Sequence, residues 1–317
     1  MRILDHGVLT PEFINGFALP NLRELLKGIL LDEAPRATSR AALLDKVADF
    51  GMKINVDELR RVMWELFDER LESGFHVMVL SATDLSEKLV SGSIPQSLAP
   101  FEALVQKGDT IDTGQPLDVR RDEGTANVLF LSETTATFRA KDEDEEQRTP
   151  IGLRIVKVSY ESSVPILSKI EIAPRSGTVR IVMRPVRQGG HPGSELPPIR
   201  DWAERTLNAN LPPWSVRDGI KKLKKDGRLK WRDVSLYEAD GDAHAKYKPP
   251  IDPSKLNDKC EAVETSLDRF DLEEGTVFLD GRIPFRVDCK QAVFSFNART
   301  SPVEADNVIQ TVRENSL

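Results

Sequence analysis

The sequence is poor in the features that mark secreted, zinc-binding and membrane-spanning proteins. Its 317 residues include only two cysteines, Cys260 and Cys289, too few for a disulfide framework or a four-cysteine zinc site. No apolar run reaches the roughly 18 residues that a membrane-spanning helix needs. The first residues have no positive start followed by an apolar stretch, so no signal peptide is expected. These absences predict a soluble, cytoplasmic protein that does not enter a membrane.

Motifs of common enzyme classes are also missing. The chain contains no Gly-x-Ser-x-Gly nucleophile elbow, no Walker A loop and no dinucleotide fingerprint. The four histidines, His6, His76, His191 and His244, are scattered without the spacing of metal ligands. The sequence therefore favours a non-enzymatic protein, and no residue pattern in it predicts a cofactor or a metal ion.

The overall charge limits how the chain can bind nucleic acid. With 44 Lys and Arg against 51 Asp and Glu, the formal net charge is −7. A uniformly basic coat is excluded, so any contact with phosphate requires a local concentration of positive charge.

Hydrophobic periodicity predicts an α+β protein of four modules. Residues 1–98 have the pattern of a helical unit resembling a helix-turn-helix, followed by a strand that begins at Phe75. Residues 99–190 form a central antiparallel β-rich domain of short strands rich in β-branched residues. Residues 198–250 combine helices with a strand and a hairpin, and residues 251–317 form a C-terminal β-hairpin plus helix.

The module at residues 198–250 carries the most informative pattern. A short helix over 201–207 is followed by a turn and by a second helix, for which Ser215 is the expected N-cap and Gly227 the stop signal. A strand of alternating apolar and basic residues follows, and the chain turns again at Asp240 and Gly241. This order resembles a winged helix-turn-helix, in which SVRDGIKKLKKDGRLKW would be the recognition helix leading into the wing. The resemblance covers residues 200–248 only, and a Gly- and Pro-rich linker over 187–198 stands where a leading helix is expected.

Charge concentrates in this same module. Residues 200–235 contain ten basic and five acidic residues, a local balance of +5 in a chain of −7. At about 100° per residue, several of the basic residues fall on one arc of the second helix, as a phosphate-binding surface requires. Arg217 near its N-terminus would reach a base edge in the major groove. The predicted DNA-contacting residues are Arg217, Lys221, Lys224, Lys225, Arg228, Lys230 and Arg232.

Three functions remain open on the sequence alone. The first is a non-enzymatic regulator or accessory subunit that contacts double-stranded DNA through the winged-helix-like module. The second is an adaptor that binds a protein partner, or itself, through residues 1–98, because the predicted helix over 56–72 carries a net charge of −3 and would repel phosphate. In that case the lysines of residues 217–232 are a solvated surface.

The third function is a magnesium-dependent nuclease. Asp288 and Lys290 form a D-x-K triplet at the end of the apolar strand that starts at Ile283. The triplet resembles the metal-binding half of restriction-endonuclease-like nucleases, and Asp271 is the available earlier acid. Pro284 predicts an edge strand, and an ordinary C-terminal hairpin explains the same residues without catalysis.

Overall fold

The computed structural model describes residues 60, 61, 64, 74–82, 114–122, 125–139, 145–157, 159–173, 177–183, 192–238, 244–247, 270–297 and 300–316, to which the structural statements below are confined. The strands are β1 Phe75–Ser81, β2 Gln115–Asp122, β3 Thr125–Arg139, β4 Glu145–Thr149, β5 Gly152–Val156, β6 Ser159–Ala173, β7 Thr178–Met183, β8 Leu229–Glu238, β9 His244–Tyr247, β10 Phe270–Leu279, β11 Ile283–Asp288 and β12 Val293–Phe296. The helices are α1 Pro192–Leu207, α2 Arg217–Lys225 and α3 Pro302–Glu314. The protein is α+β, and among these residues no helix has the length and apolar character needed to cross a membrane. Most of the predicted N-terminal helical unit lies outside the described residues.

Ten strands pair in one antiparallel sheet, in the order β2-β3-β6-β7-β1-β12-β11-β10-β8-β9. β1 lies near the centre, hydrogen-bonded to β7 on one side and to β12 on the other. Its continuous apolar sequence is typical of a strand that is buried on both faces. Strands from all four predicted modules therefore pair within a single sheet, although the module boundaries themselves stay a prediction.

Each face of the sheet has its own hydrophobic cluster. Phe75, Val77 and Val79 of β1 belong to the cluster that contains the buried residues of α2 and α3. Met78 and Leu80, which alternate with them, belong to the cluster that contains those of α1. The sheet thus separates α1 from α2 and α3.

Helix α1 is longer than the sequence predicts. It begins at Pro192, so the predicted linker over 187–198 is wrong from residue 192 onward, and the predicted helix over 201–207 is the second half of α1. Leu196, Ile199 and Ala203 are fully buried against the sheet. The ring of Trp202 lies 4.3 Å from that of Phe130, between centroids. This burial offsets the helix hydrogen bonds that the two internal prolines cannot donate.

Helices α2 and α3 pack closely against each other. A Cβ atom built on Gly219 would fall on the carbonyl oxygen of Val312 and on Oγ of Ser316, so glycine is what permits this approach. The predicted N-cap Ser215 is wrong, because Val216 occupies the cap position and no side chain caps the helix. The predicted stop at Gly227 is confirmed by its positive φ of 71°. The C-terminal helix is confirmed as well, with Ser301 forming a capping box.

Strands β3 and β6 extend beyond the rest of the sheet. They pair from Ala126 with Ile172 to Arg139 with Ser159. The pairing of β2 with β3 ends at Leu131, and that of β7 with β6 ends at Ser168. Residues 132–139 and 159–167 therefore form a two-stranded ribbon, and the separate β4–β5 hairpin is inserted at its end. We call this ribbon and hairpin, the described residues between 132 and 167, the arm.

Candidate nucleic-acid interface

The elements predicted between residues 198 and 250 are present in the predicted order. Two helices, α1 and α2, are followed by β8, which pairs with β9 in an antiparallel hairpin. The turn at Asp240 and Gly241 lies outside the described residues. The connection between the helices, residues 208–216, runs past the end of β1, where Trp214 N–H donates to Val79 O at 3.0 Å. It is longer than the three or four residues usual in a helix-turn-helix, and the two helices contact opposite faces of the sheet. Only the element order agrees with the winged-helix resemblance, which stays a prediction.

Helix α2 divides into a buried side and a lysine-rich side. Gly219, Ile220 and Leu223 are buried against the sheet and α3. Lys222 and Lys225 are exposed, whereas Lys221 and Lys224 are half-buried, and Lys224 borders the buried side one turn after Ile220. Lys230 at the start of β8 is exposed as well. We call these five lysines the basic surface.

The other predicted DNA-contacting residues differ in how far their side chains are exposed to solvent. Arg217 is half-buried, and its Nε atom is out of contact with solvent. Arg232 lies within β8, but only its backbone position is described. Asp218 is exposed in the first turn of α2, where a carboxylate stabilises the helix dipole.

Arg228 forms an ion pair with Asp280. Its Nε donates to Oδ1 at 3.1 Å and its Nη2 to Oδ2 at 2.9 Å. The pair raises the pKa of Arg228 and lowers that of Asp280, in both cases mainly through the side-chain hydrogen bonds. Both groups are exposed to solvent, so the pair is open to competition from a phosphate. In this structure Arg228 is engaged with a carboxylate and contributes no net charge to the surface.

The turn between β10 and β11 adds a cation that sequence reasoning missed. Asp280 and Gly281 both have positive φ, as the Asp-Gly signal predicts. The exposed residue after them is Arg282, next to the Arg228–Asp280 pair. Its proximity follows from strand pairing, because Leu279 lies opposite Leu229 at the start of β8. No spacing pattern in the sequence indicates this contact.

The D-x-K triplet closes a turn. Oδ1 of Asp288 accepts hydrogen bonds from the backbone N–H groups of Lys290 and Gln291, at 2.9 and 3.0 Å. The predicted edge strand at Pro284 is wrong, because β11 pairs with β10 and with β12. Asp288 pairs with Glu274, and Asp271 lies three residues further along β10, about 10 Å away at strand spacing. Asp288 therefore has a structural role in the hairpin turn, and the nuclease hypothesis stays a prediction.

His76 has a strongly lowered pKa. Its Nδ1 lies 2.7 Å from Oγ of Ser295, and its Nε2 is buried. Burial first, and the positive charge of Arg286 second, lower its pKa to about 4. The imidazole is thus neutral at pH 7 and adds no charge to a binding surface.

Comparison with known proteins assigns no relatives to the chain. It matches no protein-family model, and it matches no curated protein. The proposal below therefore depends on the arrangement of charge and burial in the structure.

Proposed function

We propose that this protein is a non-enzymatic DNA-associated regulator or accessory subunit that contacts duplex DNA through the basic surface. One observation carries the proposal: a nine-residue helix carries four lysines outside the stripe that is buried in the core, and two of them, Lys222 and Lys225, are exposed. Between Arg217 and Lys230 there are seven basic and two acidic residues, and because Asp280 balances Arg228, the local excess is four positive charges in a chain of −7. Each phosphate that such a surface neutralises releases condensed counterions, which favours binding.

The fixed position of α2 supports this role. Ile220 and Leu223 are fully buried, and Gly219 allows the helix backbone to contact α3 directly. A lysine surface on so well-packed a helix loses less conformational entropy on binding than one on a loop. Phosphate contacts from such a surface position a protein on the duplex without reading its sequence.

Fluorescence anisotropy with a labelled mixed-sequence duplex tests the proposal. We expect the wild type to bind at low salt and the double variant Lys222→Glu with Lys225→Glu to bind at least tenfold more weakly, because two cations become anions. The matched control is Arg121→Glu with Arg205→Glu, which makes the same change in net charge. Both control arginines are exposed and lie toward the end of the sheet where Ser81 closes β1, away from the C-terminal end of α2.

The outcomes separate the site from total charge. Weak binding by the lysine variant alone, with both variants folded in thermal melts, supports the basic surface as the contact. Equal weakening by both variants would show that only net charge matters. Absence of wild-type binding would contradict the proposal, and the basic surface would then be tested for docking of a protein partner.

A further inference from the structure

We infer that the arm is a second DNA-contacting element, and that its tip at Pro150 and Ile151 inserts into the minor groove of the duplex bound by the basic surface. The inference rests on the proposed function and adds a new site to it. The tip is the turn of the β4–β5 hairpin, in which Thr149 pairs with Gly152.

The apolar residues of this hairpin are exposed. Ile151 is 99% exposed and Ile155 is 52% exposed, two of the three large hydrophobic side chains that are exposed among the described residues. Pro150 next to Ile151 is exposed as well. Apolar side chains of this kind, Ile and Pro included, serve as wedges that minor-groove proteins insert between base steps.

Charge around the tip complements a duplex. Arg148 and Arg154 are exposed close to the tip, and no acidic residue occurs from Gln147 to Arg154. The acidic residues of β4, Glu145 and Glu146, lie toward the open side of the hairpin, where Glu145 pairs with Val156. The positively charged end of the hairpin therefore carries the apolar tip, and a narrow minor groove attracts arginine through its negative potential.

The arm and the basic surface lie at the same end of the sheet. Antiparallel pairing from β3 across to β8 places the C-terminal end of β3, the end of β10 and the start of β8 at that end. From β6 to β10 there are five strand spacings, about 24 Å. The eight residues from Ser132 to Arg139 extend the ribbon by about 26 Å. A duplex of about 30 base pairs, which rises about 3.4 Å per base pair, is long enough to span both distances.

A duplex of about 30 base pairs with a central TA step, which unstacks easily, is the probe for this inference. Anisotropy reports affinity, and 2-aminopurine in place of the adenine at that step reports unstacking by a wedge. We expect Ile151→Ser to weaken binding about tenfold and to abolish the 2-aminopurine signal. The slope of log K against log salt should not change, because the lost side chain is uncharged. Arg148→Ser with Arg154→Ser should reduce the slope by about 1.8, since two phosphate contacts are lost.

Ile155→Ser is the matched control, because Ile155 is an exposed isoleucine in the same hairpin but away from its tip. Full binding and a normal 2-aminopurine signal in this variant support insertion at Ile151. Equal losses in both isoleucine variants would overturn the wedge in favour of a flat docking surface. A wild-type dimer that Ile151→Ser converts to a monomer in sedimentation would assign the tip to a second copy and overturn the inference.

The same titrations distinguish this inference from the proposed function. If Ile151→Ser binds DNA like the wild type while the Lys222 and Lys225 variant fails, the inference is overturned and the function of the basic surface stands. If Ile151→Ser fails to bind DNA while the Lys222 and Lys225 variant binds like the wild type, the arm contacts DNA and the basic surface does not. If the wild type binds no duplex, both are overturned.

Discussion

Substituting Gly219 with alanine tests whether α2 is held by direct contact with α3. In an isolated helix the change would stabilise by about 1 kcal/mol, because alanine is the better helix former. Here the added methyl group would overlap the backbone oxygen of Val312 and Oγ of Ser316. These two atoms are hydrogen-bonded to each other, with Ser316 Oγ donating to Val312 O at 2.9 Å. Only the serine can rotate away, so the helices must separate.

Overpacking of a well-packed site costs about 1–3 kcal/mol, and more where backbone has to move. We therefore expect Gly219→Ala to lower the free energy of unfolding by about 2 kcal/mol, against the sign of helix propensity. Urea denaturation followed by circular dichroism measures this change. Lys222→Ala, at an exposed position of the same helix, is the control and should stay within about 0.5 kcal/mol of the wild type. A Gly219→Ala protein as stable as the wild type, or more stable, would refute the packing of α2 described here.

Three further predictions concern single residues. Because the pKa of His76 is lowered to about 4, the unfolded chain takes up the proton at a higher pH than the folded protein, so the contribution of His76 to stability is constant above about pH 6.5 and falls as the pH decreases toward 4. Between pH 7 and 5 we expect the free energy of unfolding of the wild type to fall by about 2 kcal/mol more than that of His76→Gln, as measured by urea denaturation. Equal decreases in the two proteins would refute the burial of the ring. Asp280→Asn should release Arg228 and make the slope of log K against log salt steeper by about 0.9, with little change in stability. An unchanged slope would show that Arg228 does not face the duplex. Asp288→Ala should lower stability by about 1–2 kcal/mol, because two backbone donors lose their acceptor, and a neutral result in thermal melts would refute the role of Asp288 in the turn.

Local patterns predicted the elements whose signals are contained in a short stretch. The strand that begins at Phe75, the stop of α2 at Gly227 and the C-terminal helix are all confirmed. Each depends on neighbouring residues, through hydrophobic alternation, turn chemistry or capping. The errors have local causes too: prolines at 197 and 198 indicated a linker where burial of Leu196 and Ile199 maintains a helix.

The sheet and the neighbours of the site could not be predicted in this way. β1 pairs with β12, and the hydrogen-bonded residues His76 and Ser295 are separated by 219 positions. The pairing of Arg228 with Asp280 and the proximity of Arg282 follow from the same sheet. The lysines of α2 are predictable as a helical face, but their neighbours across the strands are not. The exposure of Ile151 likewise depends on the arm extending past β2 and β7, which no periodicity encodes.

The salt dependence of duplex binding tests the central claim most directly. If the five lysines of the basic surface contact phosphates, log K plotted against log salt for the wild type has a slope of about −4.5, because each contact contributes about −0.9. Replacing Lys222 and Lys225 with glutamine should reduce the slope by about 1.8, while Arg121→Gln with Arg205→Gln should leave it unchanged. A wild-type slope near zero, or equal slopes in both double variants, would contradict the assignment of DNA contact to α2.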